Sequence, residues 1–234
     1  MHILVTGASS GIGKAICERL LAEGHRVTGF ARDFSKFPCT SDNFLPLAVD
    51  LSDLDHLPSK LEKLREQLAT ITSLVCCAGR GEFAGLEELS YGQIKSLIDL
   101  NFTSQAFLVK HFLPLLKRSG DGNIIFIGSE AAISGSRKGT IYCASKFALR
   151  GFAQALRDES AKSGVRVSII NPGMVKTTFF DKLNFRHGSA EENYILPEDV
   201  AETVAMILRT RTGTVFDEIN LSPLTKVIDF DKKK

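Results

Sequence analysis

Two side chains that can move protons stand four residues apart in the stretch TIYCASKFALRGF, which covers residues 140–152. They are Tyr142 and Lys146. The stretch is typical of the first turns of a helix, and four residues are about one helical turn. The phenol and the ammonium would therefore emerge from one helix face, one above the other.

This spacing suggests chemistry on a proton. An unperturbed phenol has a pKa near about 10 and scarcely ionises at neutral pH. A cation about 4 Å away contributes about 4 kcal/mol at an effective dielectric constant of about 20, which lowers a pKa by about three before burial is counted. We therefore predict that Lys146 lowers the pKa of Tyr142 and makes it a general acid/base. Such a group serves hydride transfer at carbon, because a proton must move at the adjoining oxygen.

A glycine-rich loop follows the first apolar run, in the sequence TGASSGIG at residues 6–13. Gly7 would allow a sharp reversal, Gly11 a close approach of backbone to a pyrophosphate, and Gly13 close packing of helix against strand. The spacing is GxxxGxG, whereas the common dinucleotide fingerprint is GxGxxG. For this motif alone, a purely structural turn is the alternative interpretation.

The second apolar run ends in GFARD, where an enzyme that uses NAD normally has an acidic residue for the ribose hydroxyls. By length, Ala31 takes the acidic position and Arg32 follows. A guanidinium suits a 2′-phosphate, so we predict NADP. Asp33 would favour NAD if the register were shifted by one or two residues. Asp50 either accepts a hydrogen bond from the adenine amino group or caps the next helix.

Short apolar runs alternate with longer stretches of helical periodicity. Single helices between strands imply right-handed crossovers and a mainly parallel sheet with helices on both faces. We predict an α/β fold, a single Rossmann-like, doubly wound domain over residues 1–234, with ligands at the carboxyl ends of seven strands. The predicted strands are 2–6, 25–31, 45–50, 73–78, 123–129, 165–171 and 214–220, and the predicted helices are 11–23, 53–69, 90–118, 140–163 and 197–209.

The composition limits the classes of function. Twenty-nine basic and 27 acidic residues give a net charge of +2, so no overall charge attracts nucleic acid or an anionic membrane. No apolar run approaches the about 18 residues that span a bilayer. The N-terminal residues resemble no export signal, and the five cysteines have no metal-binding spacing. We expect a cytoplasmic protein with free thiols, without metal, and with no nucleic-acid or membrane partner.

Seven motifs, in order along nearly the whole chain, resemble the short-chain dehydrogenase/reductase family. They are TGASSGIG at 6–13, AVD at 48–50, AG at 78–79, Asn101, Ser129, YCASK at 142–146 and NPGMVKT at 171–177. One position departs from the family pattern, which has NNAG where this chain has CCAG, with Cys76 and Cys77 in place of two amides. The departure puts local sheet stability and cofactor affinity in question, not catalysis.

The resemblance implies roles for individual residues. Ser129 would donate a hydrogen bond to the substrate oxygen, and Asn101 would hold a water that links Lys146 to solvent. The implied catalytic set is Asn101, Ser129, Tyr142 and Lys146. The predicted cofactor-binding residues are Gly7, Ser9, Ser10, Gly11, Ile12, Gly13, Arg32, Asp50, Leu51, Ala78, Gly79, Tyr142, Lys146, Pro172, Gly173, Val175 and Thr177. The predicted substrate-binding residues are Ser129, Tyr142, Met174, Phe179 and Phe180.

The leading hypothesis is an oxidoreductase that transfers a hydride between NADP(H) and a small or medium carbonyl or alcohol substrate. NAD(H) remains possible. One alternative is a regulator that binds the cofactor and senses its redox state without turnover. A nucleotide-sugar epimerase is disfavoured because little more than a helix and a strand follow residue 196, and a serine hydrolase because no G-x-S-x-G follows a strand. We also expect a short lid at about 177–196, a polar tail at about 229–234, and a homodimer or homotetramer.

Overall fold

The structure is a computed structural model that describes residues 1–35, 37 and 39–230. Helices and strands alternate over most of the chain. The strands are β1 (His2–Thr6), β2 (Arg26–Ala31), β3 (Phe44–Ala48), β4 (Ser73–Cys76), β5 (Gly122–Ile127), β6 (Val165–Pro172), β7 (Phe185–His187), β8 (Glu218–Leu221) and β9 (Ile228–Phe230). The α-helices are α1 (Gly11–Ala22), α2 (Leu57–Lys63), α3 (Tyr91–Ile98), α4 (Ser104–Ser119), α5 (Thr140–Ser160) and α6 (Pro197–Arg209).

Seven strands form one sheet in the order β3-β2-β1-β4-β5-β6-β8, and every neighbouring pair is parallel. The strand order reverses between β1 and β4, because the chain returns past β1 after completing β3. A crevice opens at such a reversal, at the carboxyl ends of the strands. The predicted seven-stranded, doubly wound parallel sheet is confirmed.

The central strands are buried on both faces, which explains their nearly continuous apolar sequences. Neighbouring residues of β5 face opposite layers: Phe126 belongs to a cluster with Phe112 of α4, and Ile125 to a second cluster with Ile16 of α1. The helices therefore cover both faces of the sheet. Packing on both faces holds the strand ends that carry the polar residues.

Several predicted bounds are wrong. The helix predicted at 90–118 is α3 and α4 joined by a π-helical turn, Asp99–Thr103, and the helix predicted at 53–69 is reduced to α2. A π-turn often marks a functional position, and this one holds Asn101, which is 1% exposed. At the strands, β8 begins at residue 218 rather than 214 and β3 ends at residue 48 rather than 50.

A second, two-stranded antiparallel sheet pairs β7 with β9, and the sequence analysis did not anticipate it. Strand β7 lies inside the predicted lid, and β9 includes Asp229 and Phe230 of the predicted polar tail, both of them exposed. The two strands share an apolar contact, because the rings of Phe185 and Phe230 lie 6.3 Å apart between their centroids. The rest of the tail, residues 231–234, lies outside the described residues.

The helices of the described ranges bear on whether the chain crosses a membrane. None of them combines the length and the apolar character that crossing a lipid bilayer requires.

Candidate active site

The turn between β1 and α1 lies at the crevice. Gly7 and Gly11 have φ angles of +67° and +50°, which side chains other than glycine rarely adopt. A Cβ on Gly13 would lie 2.2 Å from the carbonyl oxygen of Gly7, so only glycine fits there. Ser9 and Ser10 complete the turn, and the Ser10 side chain makes no capping hydrogen bond to α1. The positive end of the helix dipole is thus directed toward the crevice.

The end of β4 is fixed to β1 by the hydroxyl of Thr6, which accepts hydrogen bonds from the amides of Cys77 and Ala78 at 2.9 and 3.0 Å. The Gln105 side chain donates to the Ala78 carbonyl at 2.6 Å. Cys76 is buried in the core cluster that contains α4. The backbone at this departure from the family pattern is therefore held by side chains of neighbouring elements.

The predicted ribose-binding residues follow the outer strands. Arg32 comes directly after β2, as predicted, and is exposed. The carboxylate of Asp33 accepts from the backbone and hydroxyl of Ser35 at 2.8 and 2.6 Å. Asp50 lies two residues beyond β3, with its neighbour Leu51 buried. Hydrogen bonds from Ser52 lower the pKa of Asp50, and the positive charge of Arg32 acts in the same direction.

Three of the four predicted catalytic side chains lie in one cavity. Ser129 follows β5 and caps a short 3-10 helix, where its hydroxyl accepts from the Ala131 amide at 3.2 Å. Tyr142 and Lys146 lie in the first two turns of α5, and each is 7% exposed. The ammonium lies 5.9 Å from the centroid of the phenol ring and donates to the Ile127 carbonyl at 3.0 Å. Tyr142 and Lys146 thus lie side by side on one face of α5, as their spacing predicts.

The predicted direction of the Tyr142 pKa is wrong. Burial raises the pKa of Tyr142 to about 12, and a hydrogen bond with the Ser129 hydroxyl acts in the opposite direction. Burial also lowers the pKa of Lys146 to about 8. For both side chains the largest effect is burial, which disfavours the charged form. At neutral pH the phenol therefore keeps its proton.

Asn101 is placed behind the cavity by the π-turn between α3 and α4. Its side-chain amide pairs with the backbone of Arg80, donating and accepting at 2.9 Å, and it also donates to the Ser145 hydroxyl at 3.1 Å. A Cβ on Gly79 would lie 3.2 Å from the Asn101 side-chain oxygen and 3.8 Å from the Lys146 nitrogen. Asn101 thus fixes the loop after β4 to α5, next to the ammonium.

The segment after β6 forms the opposite side of the site. Gly173 donates to the Leu221 carbonyl at 2.8 Å, which ties the end of β6 to β8. The hydroxyl of Thr177 accepts from the Phe179 amide at 3.2 Å. A Cβ on Gly11 would approach the Thr177 methyl group to 3.3 Å, so this segment lies against the glycine turn.

These elements enclose a cavity of about 880 Å³. The predicted residues that line it are Ile12, Gly79, Ser129, Tyr142, Lys146, Pro172, Gly173, Met174, Val175, Thr177, Phe179 and Phe180. The remaining predicted residues do not line it: the glycines and serines of the turn, Ala78 and Asn101 lie in segments next to lining residues, and Arg32, Asp50 and Leu51 follow β2 and β3.

Several residues of the cavity wall were not predicted as site residues, among them Phe83, Glu130, Phe185 and Phe230. Phe83 lies in the loop after β4, and Glu130 directly follows Ser129. Phe185 is inside the predicted lid. Phe230 carried no signal, because it stands between two aspartates in a segment that resembled a solvated tail.

Comparison with known proteins agrees with this architecture. The chain is 31% identical over 229 residues to an uncharacterized oxidoreductase of Staphylococcus saprophyticus, which covers 94% of this chain and 96% of the relative. It is 29% identical to an NADP-dependent 3-hydroxy acid dehydrogenase of Schizosaccharomyces pombe, over 94% of this chain and 92% of that protein.

Among solved structures, the fold is similar to an alcohol dehydrogenase from the archaeon Thermococcus sibiricus complexed with 5-hydroxy-NADP. The TM-score is 0.84 at 27% identity, with 94% of this chain and 95% of the other covered. The family model described as short chain dehydrogenase matches residues 1–187. The chain therefore belongs to the short-chain dehydrogenase/reductase family of oxidoreductases.

Proposed function

We propose that the protein is an NADP-dependent oxidoreductase that interconverts small or medium carbonyl compounds and their alcohols, with Tyr142 as the general acid/base. One observation carries the proposal: Ser129, Tyr142 and Lys146 share one cavity, which Gly173 and Ile12 bound on the side of the glycine turn. Acid/base groups beside a dinucleotide-binding turn suit hydride transfer between a nicotinamide and a carbonyl carbon.

The turn between β1 and α1 fits the pyrophosphate of a dinucleotide. Two glycines with positive φ bring backbone close to the crevice, and Gly13 leaves no room for a side chain between the turn and the helix. The amides at the start of α1 would hold the anion, aided by the helix dipole. The full set predicted from the sequence, from Gly7 to Thr177, stays our proposal for the cofactor-binding residues.

NADP is the preferred cofactor because Arg32 stands where the ribose would lie. Its guanidinium would pair with a 2′-phosphate, whereas the Asp33 carboxylate is engaged with Ser35. Asp50 would accept from the adenine amino group through the carboxylate oxygen that does not bond Ser52. The two NADP-linked relatives described above support this choice.

When bound, the reduced cofactor supplies the hydride that reaches the carbonyl carbon. This chain's residues act on the carbonyl oxygen: Ser129 would donate a hydrogen bond to it, and Tyr142, protonated at neutral pH, would give it a proton. Lys146 holds a positive charge beside the phenol and stabilises the phenolate left after transfer. Asn101 holds the loop after β4 against α5, next to these side chains.

The proposal is tested by titrating the protein with NADPH and NADH and then following nicotinamide absorbance with a panel of carbonyl compounds. We expect tighter binding of NADPH. Arg32→Ala should weaken NADPH binding by about tenfold or more and leave NADH binding nearly unchanged, since only the former carries the 2′-phosphate. Tighter NADH binding, or intact NADPH affinity in the Arg32→Ala variant, contradicts the cofactor choice.

The sequence left a non-catalytic, redox-sensing regulator as the alternative. Tyr142→Phe separates the two, because it removes the proton donor and keeps the ring. An enzyme loses turnover in this variant, with NADPH binding retained, whereas a regulator keeps its full cellular effect. A buried, preorganised proton donor favours the enzyme.

Three further predictions go with this proposal. The chain forms one domain, it resides in the cytoplasm, and it assembles as a homodimer or homotetramer. Sedimentation equilibrium of the purified protein tests the last, with a monomer as the contrary result.

A further inference from the structure

The rings of five aromatic residues, including Tyr142, form a closed cycle, and we call these five residues the aromatic cluster. Each member contacts the next, from three separate parts of the chain. The centroid distances are 5.1 Å for Phe83–Tyr142, 6.0 Å for Tyr142–Phe179, 5.2 Å for Phe179–Phe180, 5.9 Å for Phe180–Phe185 and 5.0 Å for Phe185–Phe83. Separations of this size are those of favourable edge-to-face and tilted pairs.

The aromatic cluster borders the cavity rather than filling the core. All five members line the cavity of about 880 Å³. The four phenylalanines are only half-buried, although they contact one another, whereas Tyr142 is 7% exposed. Their uncovered surfaces thus form an apolar wall that begins at the proton donor, where a substrate's carbonyl oxygen would lie.

A sixth ring extends this wall at the mouth of the cavity. Phe230 of β9 lies 6.3 Å from Phe185 between centroids and lines the cavity while being 70% exposed. Pairing of β9 with β7 holds it there, residue 230 opposite residue 185. An exposed phenylalanine at a cavity mouth gains its burial when an apolar ligand covers it.

Some of the charged side chains that line the cavity are paired with opposite charges. Glu130, directly after Ser129, accepts a hydrogen bond from Lys226 at 2.7 Å, which joins the catalytic segment to the loop before β9. Besides Lys146 and Lys226, three cations line the cavity: Arg137 and Lys138 on an exposed turn at the rim, and the exposed Arg80, which pairs with Glu82 at 3.4 Å. Beside the Tyr142 ring the wall thus carries the uncharged rings of Phe83 and Phe179, together with the ammonium of Lys146 on α5.

We propose that the aromatic cluster and Phe230 select carbonyl substrates with a flat aromatic group next to the carbonyl, over saturated substrates of similar size. This inference rests on the proposed function and names its substrate class. A flat ring can insert against several aromatic faces and edges at once, and each such pair adds about 0.5–1.5 kcal/mol beyond burial alone. A saturated ring of the same carbon count gains the burial without the pairing.

The test compares acetophenone with cyclohexyl methyl ketone, which has the same carbon skeleton with a saturated ring. Butane-2,3-dione represents small aliphatic substrates, and all are assayed with NADPH. We expect kcat/KM for acetophenone to exceed that for each of the others by about fivefold or more. Equal values for the two ring ketones overturn the inference.

Variants locate the effect in the wall. Phe185→Leu and Phe230→Leu keep apolar bulk and remove one ring each, so each should reduce the ratio of kcat/KM for acetophenone to kcat/KM for cyclohexyl methyl ketone by about threefold or more. Leu224→Ala is the matched control, because Leu224 is 90% exposed in the same C-terminal segment and does not line the cavity. A preference that both leucine variants retain contradicts the assignment.

A binding measurement keeps this result separate from the fate of the proposed function. Saturation-transfer NMR with NADP⁺ present compares acetophenone and cyclohexyl methyl ketone without turnover. Stronger transfer to acetophenone, reduced in Phe185→Leu, supports the inference even if no ketone of the panel is reduced. Equal transfer to both ketones refutes it even if the protein proves to be an active reductase.

Discussion

Replacing Lys146 by methionine should stabilise the protein at neutral pH while it abolishes turnover. Lys146 is 7% exposed, and within the described residues its ammonium makes one hydrogen bond, to the Ile127 carbonyl at 3.0 Å. Burial lowers its pKa from 10.5 to about 8. Below pH 8 the folded chain therefore carries a charge that burial disfavours, and the unfolded chain carries the same charge in water.

The magnitude follows from this pKa. The difference between 10.5 and about 8 corresponds to about 3 kcal/mol of destabilisation at pH 7. Losing the hydrogen bond to Ile127 costs about 1 kcal/mol. Lys146→Met should then raise the free energy of unfolding by about 2 kcal/mol at pH 7. The advantage shrinks between pH 8 and 10.5, because the folded wild-type protein has lost the proton there while the unfolded chain still binds it.

The assay is urea unfolding of both proteins at pH 7 and at pH 10. Comparing them at each pH cancels the titration of cysteines and tyrosines, which both proteins share. Lys162→Met, at an exposed residue just after α5, is the control and should change stability little at either pH. A Lys146→Met protein less stable than wild type at pH 7, or a difference that does not change with pH, would refute the reasoning.

Three further predictions concern the positions that support the site. Gly13→Ala should lower NADPH affinity by about tenfold or more, measured by calorimetry, because the new Cβ would meet the Gly7 carbonyl 2.2 Å away. Thr6→Val should lower the free energy of unfolding in urea by about 2 kcal/mol, because it leaves the Cys77 amide and its neighbour without their acceptor. Burial lowers the pKa of His2 to about 4, so folding stability should fall as pH drops from 6.5 toward 4, and thermal midpoints of His2→Asn should fall less.

Each of these has a control or a contrary outcome. Gly151→Ala adds a methyl group to α5 with nothing within 4 Å, so it should not reduce stability. Thr6→Ser keeps the accepting hydroxyl and should retain most of the stability that Thr6→Val loses. If His2→Asn and wild type lose stability equally on acidification, His2 is not the group that binds the proton.

The parallel sheet was predictable because strands that are covered on both faces consist of consecutive apolar residues. The run NIIFIGS needed no tertiary information, since both faces of β5 are buried. The π-turn at Asp99–Thr103 was not predictable from periodicity, because one extra residue in a turn hardly changes an apolar pattern. Strand β9 was not predicted, because this segment forms a strand through its pairing with β7, in which Phe230 lies opposite Phe185.

The site was predictable where spacing fixes geometry and not where environment does. Tyr142 and Lys146 had to share a helix face, and they do. The direction of the Tyr142 pKa depended on how deeply α5 is buried, which no local motif contains. Phe83 contacts the other members of the aromatic cluster from a loop that is distant in sequence, so its position in the site could be seen only in the folded chain.

The small sheet of β7 and β9 has a consequence for proteolysis. A protease that cut the chain after Leu221 would remove β9 and release Lys226 from Glu130, while the β1–α1 turn and all seven strands of the main sheet stayed in place. Such a clipped enzyme would keep its dinucleotide and lose the outer wall of its cavity. Limited digestion would thus yield a form of the chain with a more open cavity mouth.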